Sequence, residues 1–253
     1  MKVIDVSYHN GNIDFNKVRQ DGVEGVIIRV GYGKGNTDLK FKEYIQQSIK
    51  TGLHIGIYYF SYAYTVQMAV TEALYCMKLI EPFRQYIDLP VFFDWEYDSM
   101  KYAQKHGVNP GKELITEMTS AFCQAIYNAR YMPGYYLNKD YAKNYVDESK
   151  LRSYKRWFAR YTDVPQNDCY LWQYSSKGTV KGISGNVDMD ILNVDITKQK
   201  SDDEIVMEVI KGYWGSGNDR RQRLTEAGYN YSHIQDLVNK AMKQLEKEKE
   251  NGK

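Results

Sequence analysis

Short runs rich in Val, Ile, Tyr, Phe and Trp recur along the first three quarters of the chain, at 2–6, 25–33, 54–63, 90–97, 133–138, 155–161, 169–175 and 187–192. Each has the length and composition of a β-strand, and together they predict eight strands. Between several of them the apolar residues recur at helical spacing instead: 38–52, then 66–81 with Ala69, Ala73, Met77 and Ile80 on one stripe, then 110–130 with Leu114, Met118, Phe122 and Ala125. Asn109 as a cap and Pro110 at the first helical position form a start signal for the last of these. Alternating strands and helices imply parallel pairing with crossover helices, and eight strands favour closure into a (β/α) barrel. The strands from about 155 to 192 follow one another too closely for full helices between them, so an irregular barrel is expected.

After residue 196 the strand pattern stops. Thr197-Lys198-Gln199-Lys200-Ser201 is polar and reads as a linker. Three helical stretches follow, at about 202–212 with Ile205 and Val209 on one face, about 219–227, and about 232–248 with Ile234, Leu237, Val238, Ala241 and Leu245 on one face. The expected architecture is therefore α/β: a barrel over 1–196, the linker at 197–201, and a small three-helix bundle over 202–242. A charged tail, 243–253, of alternating Glu and Lys reads as a solvated helix end.

Composition narrows the function classes. A chain of 253 residues fits one large domain plus a small one. No apolar run approaches the ~20 residues that span a bilayer, so membrane insertion is not expected. A net charge of +2 favours anionic surfaces mildly and falls far short of a nucleic-acid-binding balance. Met1 leads directly into the first strand without an apolar leader, which implies synthesis in the host cytoplasm without a signal peptide. The three cysteines, Cys76, Cys123 and Cys169, lie far apart without a CxxC pair and read as reduced core residues, with a Cys76–Cys123 pair left open. The four histidines have no metal-ligand spacing. Twenty-four tyrosines and four tryptophans suit a carbohydrate-binding surface, since aromatic faces pack on sugar C–H faces, and equally suit strands.

Candidate chemistry concentrates in Val91-Phe92-Phe93-Asp94-Trp95-Glu96-Tyr97-Asp98, an apolar strand that ends in alternating acids. Strand alternation puts Asp94, Glu96 and Asp98 on one face, and barrel active sites lie at the carboxyl ends of strands. Two carboxylates two residues apart have Cβ atoms roughly 6–7 Å apart, close enough to perturb each other's ionisation. One acid protonated beside one ionised is the asymmetry that glycoside hydrolysis requires. Asp5 ends the first strand and Asp188 lies at the last one. First and last strands are neighbours in a closed barrel, so both acids are expected at the same mouth. Arg29, alone in the apolar Val26-Ile27-Ile28-Arg29-Val30, needs a partner, and an acid of the mouth is the expected one. Gly31-Tyr32-Gly33-Lys34-Gly35 is a loose glycine-rich loop that lacks both GxxxxGK[ST] and GxGxxG, so nucleotide binding is not expected.

Residues 1–196 resemble the lysozymes of glycoside hydrolase family 25, the muramidases of phage endolysins and bacterial autolysins. The resemblance rests on Asp5-Val6-Ser7 with Asn10-Gly11, Ile28-Arg29 with Gly31-Tyr32-Gly33, Gly56-Ile57-Tyr58, Phe93-Asp94-Trp95-Glu96, Gly134-Tyr135-Tyr136, Trp157-Phe158-Ala159-Arg160-Tyr161, Trp172-Gln173-Tyr174 and Gly185-Asn186-Val187-Asp188, in family order. It implies hydrolysis of the β-1,4 bond from N-acetylmuramic acid to N-acetylglucosamine in bacterial peptidoglycan, without metal or cofactor. It makes Glu96 the general acid and Asp94 the second catalytic carboxylate, with Asp5 and Asp188 as further active-site acids. Tyr58, Tyr136, Trp157 and Trp172 become candidates to shape the sugar subsites, alongside Arg29. One departure is Tyr59, where many relatives carry histidine, and this places a change at a subsite. The family is regarded as retaining, with the substrate's N-acetyl group a candidate assistant to Asp94; spacing leaves that open.

The C-terminal stretch Ile210-Lys211-Gly212-Tyr213-Trp214-Gly215-Ser216-Gly217-Asn218-Asp219-Arg220, with Ala227-Gly228-Tyr229, resembles one Cpl-seven-type cell-wall-binding repeat. That implies a muropeptide ligand contacted by Tyr213, Trp214, Asp219 and Arg220, and one copy alone suggests weak affinity or a homodimer through this module. Equally, Trp214 and Tyr229 make the small core and Arg220 is a surface charge. The leading expectation is a phage or prophage endolysin acting on the wall after release. Two rivals are a chitinase-like barrel, although the earlier acids of its longer Asp-x-x-Asp-x-Asp-x-Glu run are missing here, and a wall-binding protein on an inactive barrel.

Overall fold

A computed structural model of the chain describes residues 1–194 and 202–251. It divides into two compact units, Met1–Val194 and Asp195–Lys253. The expected linker, 197–201, lies outside the described residues.

The first unit contains nine strands: β1 Lys2–Val6, β2 Gly25–Tyr32, β3 Asn36–Thr37, β4 His54–Phe60, β5 Ile87–Asp94, β6 Pro133–Asn138, β7 Lys155–Ala159, β8 Leu171–Gly178 and β9 Val187–Leu192. Eight of them close a barrel in the order β1-β2-β4-β5-β6-β7-β8-β9, with β9 returning to β1. The two-residue β3, too short to leave a periodic signature, pairs with β2 outside the ring. All the barrel pairings are parallel except those of β9, which runs antiparallel to both β8 and β1. Residues 160–170 contain no helix, and β8 and β9 are joined by a short turn, so the chain reverses rather than crossing over. This reversal brings the start of β9 to the end of the barrel where β1, β5 and β6 finish, with Asp5 opposite Asp188.

Six helices flank the strands: α1 Phe15–Gln20, α2 Phe41–Thr51, α3 Val66–Ile80, α4 Tyr97–Lys105, α5 Lys112–Asn128 and α6 Lys139–Asn144. Local chemistry sets their ends. The Thr65 side chain accepts from the amide of Met68 at the start of α3, and Gly52, at φ 66°, closes α2 in the left-handed region. The expected Asn109–Pro110 start is corrected: α5 begins two residues later with Gly111 as its cap, and the Asn109 side chain instead accepts from Gln104. The strand expected over 90–97 also ends early. Asp94 is its last residue, and Glu96 is the cap of α4.

Strand alternation divides the apolar residues into two layers. The outward layer, including Ile4, Val6, Ile28, Ile57, Val91 and Phe93, joins the apolar faces of α1, α2, α3 and α5 in one core. The inward layer includes Val3, Ile27, Phe92, Trp157 and Leu171, all almost fully buried. Large inward side chains require small neighbours: a Cβ at Gly134 would lie 2.4 Å from the Phe92 ring, and one at Gly56 would lie 2.6 Å from Ile27. Cys76, Cys123 and Cys169 are free, buried thiols.

The second unit comprises α7 Asp202–Ile210, α8 Gly217–Glu226 and α9 Tyr231–Asn251 around Ile205, Val206, Val209, Leu224, Ile234 and Val238. Leu245, expected on the buried face, is 42% exposed because α9 continues past the last core residue. Among the described residues no helix is long and apolar enough to cross a membrane.

Candidate active site

The inward-facing positions change character along the barrel, from apolar residues in its middle to charged and polar ones at the carboxyl ends of the strands. There they line an open cleft of about 590 Å³. Asp5, Arg29, Tyr58, Asp94, Glu96, Tyr136, Trp157 and Asp188 all border it, so the structure assembles eight of the residues singled out in the sequence, from seven different strands and one helix start. Asp98 joins them at the rim, from the first turn of α4.

Asp94 is buried at the end of β5, where burial and the neighbouring Glu96 charge push its pKa well up, opposed by Arg29. Glu96 is half-buried and also raised, mainly by burial, with Asp188 and Asp98 adding and the hydrogen bond to Asp94 opposing. The two carboxyls interact directly, so ionising one opposes ionising the other. Their backbone is held from beneath. The Glu96 amide donates to Ser99 Oγ at 3.0 Å, and that hydroxyl donates to the Ser61 carbonyl at 2.6 Å. Ser61 in turn receives no slack: its amide donates to the Asp94 carbonyl at 2.7 Å, and its hydroxyl donates to the buried Glu72 carboxylate on α3 at 2.5 Å. Burial pushes the Glu72 pKa up to about 8.

Across the cleft, Asp5, Asp188 and Asp190 form a second acidic group on the antiparallel pair β1 and β9. Asp5 is raised well above the usual carboxylate range by burial and then by the Asp190 and Asp188 charges. Burial raises Asp188 to about 6. Asp190 lies deeper, fully buried, where it accepts from Trp157 Nε1 at 2.7 Å and is likewise raised by burial. Gln173 ties this group to the aromatic wall: its amide donates to Asp5 at 2.8 Å, while its carbonyl oxygen accepts from Tyr136 and Tyr161, each at 3.1 Å. Tyr58 and Tyr136 meet Trp157 edge-on, with ring centroids 5.9 and 4.8 Å apart.

Several expectations are corrected. Arg29 does not pair with an acid of the mouth; its Nε lies 2.8 Å from Asp38, fully buried just before α2, and its guanidinium lies over Tyr8 and Tyr32. Trp172 does not border the cleft. It occupies the opposite face of β8, with Nε1 donating to the Arg160 carbonyl and its ring against Tyr174. Tyr59 also faces the outer layer, where its hydroxyl donates to the Gly33 carbonyl, so the departure there touches no sugar subsite. Gln173, Asp190, Asp38 and Tyr161 were not singled out. Gln173 had a signal, being the polar residue between Trp172 and Tyr174 in the apolar first half of its strand.

In the second unit, the residues singled out are largely occupied within their own fold. Trp214 packs against Tyr229, with centroids 5.8 Å apart, and donates to Glu208 at 3.1 Å. Arg220 donates twice to the Gly215 carbonyl and once to Gln235. Asp219 and Tyr213 are exposed, Asp219 lying 3.8 Å from Arg223. Among the described residues, no group of three or more His, Cys, Asp or Glu side chains is arranged to hold a metal ion.

A closed barrel with paired acids at the carboxyl ends of its strands is an arrangement suited to carboxylate-based hydrolysis. Residues 4–183 match the glycosyl hydrolases family 25, and the chain belongs to that family. Residues 203–242 match the CW_7 repeat. The chain is 30% identical to the autolytic lysozyme of Clostridium acetobutylicum, over 75% of this chain and 55% of that protein. It is 27% identical to the lysozyme of Streptococcus phage Cp-7, over 93% of this chain and 68% of that one. The structure of the modular autolysin LytC from Streptococcus pneumoniae superposes with a TM-score of 0.65 at 28% identity, over 75% of this chain and 46% of that one. The chain therefore spans about half the length of two of these relatives.

Proposed function

We propose that the protein is a peptidoglycan-hydrolysing lysozyme of the phage endolysin type, cleaving the β-1,4 bond between N-acetylmuramic acid and N-acetylglucosamine. The observation that carries this reading is the neighbouring Asp94–Glu96 pair lining the cleft at the barrel mouth, in a chain belonging to a glycosidase family and similar to proteins named lysozyme. One proton serves the pair, held more strongly by the deeper Asp94, and Glu96, the less buried of the two, passes it to the glycosidic oxygen as the bond to the anomeric carbon breaks. Asp94, ionised once that proton has left, stabilises the positive charge that develops on the sugar; water then adds to the anomeric carbon and gives its proton to Glu96, which restores the pair. Asp5 and Asp188, on the far side, orient the substrate and the water through the Gln173 network. Tyr58, Tyr136 and Trp157 shape the sugar floor.

The CW_7 match supports a second role for residues 202–242, attachment to the wall. Exposed Tyr213, in the α7–α8 turn, and Asp219, in the first turn of α8, make the contact, with Trp214 and Arg220 holding the turn in shape. A single repeat gives modest affinity, which self-association through the module would raise; sedimentation equilibrium reads that directly. For the reaction itself, purified peptidoglycan is digested, reduced with borohydride and analysed by mass spectrometry. New reducing ends on muramic acid are expected. Ends on glucosamine, free stem peptides or no cleavage would overturn the reading.

A further inference from the structure

A second pocket, of about 460 Å³, opens off the cleft and shares Tyr32, Tyr62 and Asp98 with it. Its remaining lining is Gly33, Lys34, Asn36, Lys101, Tyr102 and Lys105. Three lysines converge there from two separate elements, the turn after β2 and the helix α4. Lys101 is already paired, 2.9 Å from Asp98, so Lys34 and Lys105 supply the pocket's uncompensated positive charge.

The pocket is built rather than incidental. Lys34 sits between Gly33 and Gly35, at φ 53° and 76°, a conformation that side chains rarely adopt. A Cβ at Gly33 would lie 2.9 Å from the Tyr62 ring, so the glycine allows the turn to press onto the pocket's aromatic wall. The turn is pinned on both sides: Gly33 donates to the Phe60 carbonyl at 2.9 Å and accepts from Tyr59 at 2.7 Å. Tyr62 and Tyr102 then form a contiguous aromatic surface, with centroids 5.0 Å apart. The glycine-rich loop that carries no nucleotide motif thus sets the Lys34 backbone at the pocket's edge.

We propose that this pocket binds the peptide stem of the glycan strand, with Lys34 and Lys105 receiving a stem carboxylate and the tyrosines packing on its small apolar side chains; the proposal rests on the muramidase reading. Stems branch from muramic acid, one of the two sugars joined by the bond to be cut, so every cleavage brings a stem close to the cleft that this pocket adjoins. A phosphate-bearing wall polymer, attached at scattered points, would not be present at each cleavage.

The test compares the wild type with a Lys34→Ala/Lys105→Ala variant on two soluble substrates: glycan strands carrying stems with free carboxylates, and the same strands stripped of stems by an amidase. On stem-bearing strands the variant should raise KM about three- to tenfold with kcat unchanged, the scale of two exposed ion pairs, and the difference should shrink in high salt. On stripped strands the two proteins should match. Equal rises on both substrates, or none on the stem-bearing one, would overturn the proposal, and an effect confined to walls carrying phosphate polymer would assign the pocket to that polymer instead. Titration of the free stem peptide reads the pocket apart from hydrolysis: equal binding by both proteins overturns the proposal, whereas failure of the wild type to cut either strand refutes only the muramidase reading.

Discussion

The barrel mouth and the C-terminal three-helix unit both carry polar residues that stand out in the sequence, and the structure treats them in opposite ways. At the mouth, Asp5, Asp94, Glu96 and Asp188 are drawn into partial burial facing an open cleft, with their pKa values raised and a Asp94 oxygen left without a hydrogen-bond partner. In the three-helix unit, Trp214 and Arg220 are satisfied by partners a few residues away. Charge held against the desolvation cost of burial signals chemistry; charge that closes its own loop signals architecture.

The contrast can be broken by substitution. Asp94→Asn keeps the shape of the side chain and removes its charge, and hydrolysis should fall about 10²–10⁴-fold with the melting temperature preserved. Activity within a few-fold of the wild type would move the chemistry elsewhere. Glu72→Gln tests the support beneath the pair. A buried carboxyl whose folded pKa is raised to about 8 binds its proton more tightly in the folded state than in the unfolded one. Its contribution to stability is therefore fully present below the ordinary value of 4.5 and is lost as pH rises toward 8, with a slope of up to about 1.4 kcal/mol per pH unit. Denaturant titrations from pH 5 to 8 should show the variant losing less stability than the wild type; parallel curves would mean that Glu72 is ionised throughout. Arg220→Ala gives the smallest effect, about 1–3 kcal/mol of the three-helix unit's stability from the bonds it loses. Weakened wall binding with unchanged stability would instead make Arg220 a ligand contact.

Much of this was legible in the sequence. All eight barrel strands have a counterpart in the pattern of β-branched and aromatic residues, because each contains buried apolar positions and is long enough to leave a run. The short helices α1, α4 and α6 left too few turns for a 3.6-residue stripe. In α4 the aromatic–acid alternation of the preceding strand also ran on into the helix start, disguising Glu96 as a strand residue. Asp5, Asp94 and Asp188 were readable because strand parity fixes which face each occupies, whereas Glu96 and Asp98 reach the cleft from the start of α4. The same parity excludes Trp172 and admits Gln173, but only once the register with β7 and β9 is known. Arg29's partner was not legible: Asp38 is nine residues away and lies beyond the β2–β3 turn, whose path no local pattern specifies.

The most direct test of the account is the rate at which wild type and Glu96→Gln release reducing ends from purified peptidoglycan, with sedimentation of each protein with the same walls measured in parallel. The account predicts a loss of at least about 10²-fold in rate with wall binding intact. A variant that hydrolyses at the wild-type rate would contradict it, and would remove Glu96 from the role of proton donor.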